Sequence, residues 1–299
     1  MRGDRREIVR TVKRAIELGI NYFDTASLYG DGKSESNLGT VLHELAADVI
    51  IGTKVRLTAA EMNNIPKAVT ESVDRSLKRL RLNCIDLMQL HNPIGPRRDP
   101  SQDRVGLSDL EPVMATFQSL KEQGKIGFYG ISGLGDSNAL LQAVETAGAQ
   151  TIQTCHNLLN PSAAYAVSRN FPFRDFGQLI LRAQAKEMGI IAIRILAEGA
   201  LSGEEKRHPN AEKAVLPIAT GANYPEDVGR AKRFQFLIDE GYVSSLVEAA
   251  IRFVIGNPAI STALVGISSI EQLEQVVEYV SKGVLSPNAL SKIEDMRDQ

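Results

Sequence analysis

Apolar residues recur at helical spacing near the start of the chain, at Ile8, Val9, Val12, Ala15 and Ile16, until Gly19 closes the segment. Asp4, with Glu7 three residues later, has the form of an N-terminal cap for that helix. Short apolar runs then alternate with amphipathic stretches. The pattern predicts strand 20–24, a helix from Ser34, strand 48–53, helix 64–81, strand 85–90 and helix 109–123. It continues with strand 126–131, helix 136–147, strand 150–154, helix 175–188 and strand 190–195. After a long loop come helices 229–239 and 245–255, strand 260–265, and helices 270–281 and 287–297.

Strands alternating with helices imply parallel pairing through right-handed crossovers, in an open doubly wound sheet or a closed barrel. No Gly-x-Gly-x-x-Gly follows the first strand, so a dinucleotide-binding fold lacks its fingerprint. A parallel α/β barrel uses about 250 residues as a single domain, which suits a chain of 299 residues with no low-complexity linker or fixed-period repeat. The pattern contains seven strands, where a closed barrel of this class needs eight. No strand precedes the first helix.

Composition narrows the setting. A hydrophobic content of 43%, 23% charged residues and a net charge of −2 describe a globular protein without the basic footprint of a nucleic-acid or anionic-membrane binder. Cys84 and Cys155 follow no metal or redox spacing, and the N-terminal Met1-Arg-Gly-Asp-Arg-Arg-Glu has no apolar signal region. A soluble cytoplasmic protein is expected.

Three of the strands end in chemistry. Asp24 closes the first, Lys54 the run Asp48-Val-Ile-Ile-Gly-Thr-Lys54, and His91 the run Ile85-Asp-Leu-Met-Gln-Leu-His91, while Tyr29 lies in the loop after Asp24. Each residue alone has a bland reading, as a cap, a solvated lysine or a packed histidine. Together they place a carboxylate, an ammonium, an imidazole and a phenol on one rim. A phenol, with a reference pKa of about 10, needs a cation beside it to act as an acid, and Lys54 is the candidate. Asp86, inside a strand pattern, reads as structural.

The motif Asn21-Tyr-Phe-Asp24-Thr-Ala-Ser-Leu-Tyr29-Gly, with Ser34-Glu35, Leu38-Gly39, Gly52-Thr-Lys54 and Gln89-Leu-His91, resembles the Asp, Tyr, Lys, His tetrad of the aldo-keto reductases, over about residues 5–280. The resemblance implies a TIM-type (β/α)8 barrel as one domain, with the first strand missing from this chain, and hence either extra N-terminal residues in the native protein or a compensating fold. It implies an NAD(P)(H)-dependent oxidoreductase that moves a hydride between nicotinamide and a carbonyl or alcohol. Tyr29 would be the proton donor, Lys54 its cation, Asp24 the partner of Lys54, and His91 the group that orients the carbonyl.

The cofactor residues implied are Ser132, within Lys125-Ile-Gly-Phe-Tyr-Gly-Ile-Ser132-Gly133, and Gln153, both on the nicotinamide amide; Gly133 replaces the family's Asn. His156 stands where most members stack a Tyr on the nicotinamide ring, or merely fills that space. Leu196, Gly199, Leu201 and Ser202 would wrap the pyrophosphate, and Gly266, Ser268 and Gln272 the adenosine phosphate. Ser269 and Gln272 also read as a helix cap. NADP is expected from family habit and NAD stays open, because this turn has serines where NADP-preferring members carry a cation.

The loop 92–108 carries Arg97, Arg98, Asp99 and Arg104 and no aromatic residue, and there is no Trp in the chain, which favours a small polar carbonyl or a sugar. Two rivals remain. One is a cofactor-binding or regulatory protein of reductase descent that has lost turnover. The other is a metal-dependent hydrolase using Asp24, His91, His156 and Glu198 as ligands.

Overall fold

A computed structural model describes residues 5–211, 218, 220, 221 and 223–297; the cap expected at Asp4 and part of the long loop lie outside the described residues. The chain divides into two compact units. One runs to Ile152 and includes Ala185–Met188; the other takes Gln153–Gln184 and the chain from Gly189 onward.

In the first unit, α1 (Arg5–Glu17) buries Ile8, Val12 and Ala15 along one stripe. Gly19 then turns the chain at φ +86°, and β1 (Tyr22–Asp24) begins. There follow α2 (Lys33–Leu45), β2 (Ile50–Val55), α3 (Ile65–Leu80) and β3 (Ile85–Leu90). Two short strands not foreseen from the sequence come next, β4 (Ile94–Gly95) and β5 (Val105–Gly106), and then α4 (Leu110–Glu122), β6 (Ile126–Ser132) and α5 (Ser137–Thr146). Strands β1, β2, β3 and β6 lie parallel in that order. Their register sets Asp24 opposite Gly52, Lys54 opposite Gln89, and Gln89 opposite Gly130, so the carboxyl ends of these strands share one edge.

Several motif residues hold this arrangement together rather than take part in chemistry. The fully buried Glu35 accepts from Thr53 Oγ1 at 2.6 Å and from Arg79 Nε at 2.6 Å, tying α2 to β2 and α3. The Ser34 hydroxyl accepts from Thr25 Oγ1 at 2.8 Å. A Cβ at Gly39 would stand 2.4 Å from the carbonyl oxygen of Leu80, so the two helices pack closely only with glycine there. Asp86 accepts the Ile51 N–H at 2.8 Å, the structural role expected of it.

In the second unit lie Gln153–Cys155 of β7 (Thr151–Cys155), then β8 (Gly189–Ile193) and β9 (Thr262–Ala263), with Ile191 opposite Thr262 in the parallel β8–β9 pair. The helices are α6 (Leu179–Ala185, all but Ala185 in this unit), α7 (Tyr224–Ala231), α8 (Phe236–Asp239), α9 (Leu246–Ile255), α10 (Ile270–Ser281) and α11 (Pro287–Arg297). Ile195, Leu201, Phe234, Leu237, Phe253, Val254 and Tyr279 are among its core.

Three element boundaries depart from the pattern. The helix expected at 175–188 begins only at Leu179, because Gly177 and Gln178 are both left-handed, at φ +59° and +58°. The helix expected at 229–239 begins at Tyr224, with Pro225 in its first turn, and is broken by a 3-10 turn at Lys232–Gln235. The strand expected at 260–265 is reduced to Thr262–Ala263, for which β8 is the only neighbour among the described residues. Among the described residues no helix is long and apolar enough to cross a membrane.

Candidate active site

Lys54 lies in the all-buried part of β2 and is only 2% exposed, which for an ammonium demands partners. It has two. Its Nζ donates to Asp24 Oδ2, at the end of β1, and to the Thr25 carbonyl at 2.7 Å. The other oxygen of Asp24 accepts from the Tyr22 hydroxyl at 3.4 Å, and the Asp24 side chain is 14% exposed. The loop after β1 is tied back to the same strand: Thr25 N–H donates to Gly52 O at 2.9 Å and Ser27 Oγ to Lys54 O at 3.0 Å. Tyr29 is thereby brought over the ion pair, with Lys54 Nζ 5.2 Å from its ring centroid. His91, whose N–H donates to Val55 O at 2.7 Å, meets the Tyr29 ring edge-on at 5.8 Å and 84°. All four residues proposed from the sequence come together, with Tyr29 left 43% exposed to solvent.

His91 is neutral here. Burial, then the charge of Lys54, then that of Arg56 hold its pKa down at about 3, and its buried Nδ1 meets no hydrogen-bond partner among the described residues. A neutral imidazole orients a carbonyl by hydrogen bonding; it is no proton reservoir at neutral pH. The same shift makes stability depend on pH. Above the ordinary histidine value of about 6.5 the folded and unfolded chains are both neutral at this residue. As pH falls from there towards 3, only the unfolded chain takes up the proton, and stability is lost. At pH 5 the loss from His91 should be about 2 kcal/mol. Urea unfolding at pH 7 and pH 5 should show that His91→Asn loses less on acidification than the parent by about that amount; equal losses would remove His91 as the cause.

The nicotinamide-amide residues fit their expected ligand in part. Ser132, the last residue of β6, is buried, and its Oγ has no hydrogen-bond partner among the described residues, an open valence that a carboxamide would fill. Gln153 is buried on β7. His156 is fully buried, and its ring stacks on Phe253 at 5.2 Å and on Tyr165 at 6.1 Å, with those two rings 6.2 Å apart. That aromatic triangle uses His156 as core. Stacking on nicotinamide would require a neighbour to move. Beside it, burial pushes the Cys155 thiol up to about 12, so the pair offers no thiolate.

In the second unit, Leu196, Gly199, Ser202, Gly266, Ser268 and Gln272 line a single cavity of about 780 Å³. Leu201 is buried behind it. The segment that forms one wall is strained: Arg194, Ala197 and Glu198 have φ of +57°, +47° and +63°, and Gly199 +104°. Left-handed non-glycine residues cost about 1–2 kcal/mol each, and such outliers gather at binding sites. The Gly199 and Leu201 N–H groups both donate to Leu196 O, at 2.8 and 3.2 Å, and so are already engaged. At the far wall Ser269 Oγ accepts the Gln272 N–H at 3.3 Å, as a cap should. The return bond differs from a standard capping box, since Gln272 Oε1 accepts from Ser268 N–H at 2.9 Å.

Cations reach this cavity from an element the sequence does not connect with it. Lys206 and Arg207 line it, and Asn210 Nδ2 donates to Ser268 O at 3.4 Å. Arg207 also donates to Glu198 O at 2.7 Å and lies 4.8 Å from the Tyr224 ring. Arg194 pairs with Glu198 at 2.7 Å. Burial, set against Arg194 and Arg207, raises the Glu198 carboxyl above its ordinary range. With Asp24 held by Lys54 and Glu198 by Arg194, two of the ligands a metal centre would use are committed elsewhere. Among the described residues no three His, Cys, Asp or Glu side chains are grouped to hold a metal ion.

Comparison with known proteins agrees with this geometry. The sequence profile of the Aldo/keto reductase family matches residues 2–298. The chain is 29% identical over 285 residues to an L-galactose dehydrogenase of Arabidopsis thaliana, covering 92% of this chain and 78% of that protein. It is 29% identical over 304 residues to a putative voltage-gated potassium channel subunit beta of Schizosaccharomyces pombe, covering 95% and 82%. Among solved structures, an aldo-keto reductase from Bacillus halodurans in its apo form superposes with a TM-score of 0.67 at 25% identity, covering 99% of this chain and 88% of that one. A glycerol dehydrogenase from Gluconobacter oxydans, at 23% identity, a TM-score of 0.72 and coverage of 99% and 86%, shares the fold. The fold class is the α/β, TIM-type (β/α)8 barrel, with no strand described ahead of α1.

Proposed function

The chain belongs to the Aldo/keto reductase family and is an NAD(P)H-dependent oxidoreductase, and from that premise we propose that it reduces a small polar carbonyl or sugar, or oxidises the matching alcohol, with NADP as its cofactor and Tyr29 as the proton donor. The observation that carries the reading is the Lys54–Asp24 pair beneath Tyr29, with the neutral His91 edge-on to the same ring. When bound, nicotinamide supplies or accepts the hydride.

The chain's own residues handle the charge that develops on the carbonyl oxygen. The Tyr29 hydroxyl gives its proton to that oxygen, and the charge of the Lys54 ammonium, 5.2 Å from the ring centroid, favours the phenolate left behind. Asp24 fixes Lys54 in place, and the Thr25 carbonyl accepts a second hydrogen bond from the ammonium. His91, kept neutral, donates a hydrogen bond that aligns the carbonyl. Ser132 would hold the nicotinamide amide through its unengaged hydroxyl, a role the family resemblance also implies for Gln153. Within the second unit, the cavity between the 196–202 segment and the 266–272 turn would hold the cofactor's phosphates. His156 acts in this reading as packing. A sugar substrate draws support from the likeness to the plant L-galactose dehydrogenase.

NADP is preferred because Lys206 and Arg207 supply the cations that Ser268 and Ser269 do not. In calorimetry the parent should bind NADPH more tightly than NADH. Lys206→Gln with Arg207→Gln should weaken NADPH by about ten- to a hundredfold with little change for NADH. Equal affinity of the parent for both would remove the phosphate clamp. An absorbance assay at the nicotinamide band over a carbonyl and sugar panel tests the activity itself. Cofactor binding without turnover across that panel would replace the proposal with a cofactor-binding regulatory role.

A further inference from the structure

Arg56 follows Lys54 by two residues, a spacing that in extended chain returns to the same side of the strand. It stands near enough to His91 for its charge to disfavour the imidazolium. Yet the tetrad has no use for it. Lys54 is locked by a carboxylate and a carbonyl, whereas Arg56 touches one oxygen of Asp103, with Nε at 3.4 Å and Nη2 at 3.5 Å, the outer limit of a hydrogen bond. A guanidinium is built to take both oxygens of a carboxylate or phosphate at once, and here that fork is half used. The two side chains are 27% and 37% exposed, so the contact faces solvent.

Neighbouring groups hold this weak pair at the rim. Asn92, directly after His91 and fully buried, accepts the Leu57 N–H at 2.8 Å and donates to the carbonyls of Leu57 at 2.7 Å and Asp103 at 2.6 Å. One amide thus pins the residue after Arg56 and the backbone of Asp103 to the end of β3. Arg98 in this loop is better satisfied, its Nε reaching both oxygens of Asp109 at 3.2 and 3.0 Å, and Arg104 pairs with Asp99 more closely, at 3.0 Å.

We propose that Arg56 is an anion subsite, and that the preferred substrate is a carbonyl compound bearing a carboxylate or a phosphate, which displaces Asp103 from the guanidinium. The inference rests on the reductase reading above and narrows its substrate class. Asp103 is then a resident competitor, a carboxylate already sitting where the substrate's anion binds.

Two matched pairs of aldehydes separate the sources of the anion: succinic semialdehyde against butanal for carboxylate, and glyceraldehyde 3-phosphate against glyceraldehyde for phosphate, each with NADPH. The parent should favour the anionic member of at least one pair by tenfold or more in kcat/KM, with the difference carried by KM. Arg56→Gln should lower the anionic member's kcat/KM at least tenfold more than the neutral member's, Arg56→Lys should fall between, and Asp103→Asn should raise the anionic member's value. Variants that lower both members alike, or a parent with turnover and no preference, would overturn the subsite and leave the reductase reading intact. Calorimetry with succinamate, an inert amide analogue, and with inorganic phosphate, on the chain with NADP added, reads the subsite without turnover. Binding weakened tenfold by Arg56→Gln in a chain that reduces nothing would sink the reductase reading and retain the subsite, whereas binding of neither probe would overturn it.

Discussion

Tyr29→Phe is expected to lower kcat by about a hundred- to ten-thousandfold, the usual contribution of a positioned general acid. The change deletes one oxygen from a side chain that is 43% exposed. Stability should therefore stay within about 0.5 kcal/mol of the parent, and NADPH should bind as tightly as before in calorimetry, since no cofactor residue is altered. The ring remains to meet His91 at its edge. Steady-state rates on the best substrate of the panel, beside a urea titration, decide the matter. A variant that folds, binds NADPH and turns over at the parent's rate would take the proton-donor role away from Tyr29 while leaving the family assignment untouched.

Lys54→Met should lose turnover to a similar degree, and it should also cost stability. Removing the ammonium leaves the Asp24 carboxylate, only 14% exposed, without the cation that balances its charge. Breaking a buried ion pair from one side costs about 3–5 kcal/mol, a large part of the 5–15 kcal/mol typical of a folded protein. Converting both partners, Lys54→Met with Asp24→Asn, removes the stranded charge and should recover about 0.5–3 kcal/mol relative to the sum of the single changes. The double variant would still be inactive. If Lys54→Met unfolds in urea at the parent's midpoint, the pair is not what orders this rim, and the electrostatic argument for Tyr29 loses its footing.

Local pattern determined a good deal. Alternating short apolar runs and amphipathic stretches located seven strands and most helices, because strand and helix periods are written in neighbouring residues. Strand ends also follow from local pattern, so Asp24, Lys54 and His91 were legible as one rim, and with them Tyr29 in the adjoining loop. The same alternation would have exposed Arg56, two residues past Lys54, had it been carried past the strand's end. Boundaries failed where a left-handed residue intervened, as at Gly177 and Gln178, or where the strand has a single paired neighbour among the described residues, as at Thr262–Ala263.

What tertiary structure alone decided is which distant segments meet. The turn at 268–269 has no cation of its own, and nothing near it in sequence predicts that Lys206 and Arg207 line the same cavity, joined by an Asn210–Ser268 contact across 58 positions. Likewise the charged run after His91 reads as solvated until Asn92 is seen to clamp Leu57 and Asp103 across it. His156 could stack on a ligand or fill space with equal plausibility in the sequence, and its burial between Tyr165 and Phe253 comes from helix α9 and the loop after β7 folding onto it. Periodicity records which face of an element is apolar, but charge pairing and cavity lining depend on contacts that close only when the chain packs.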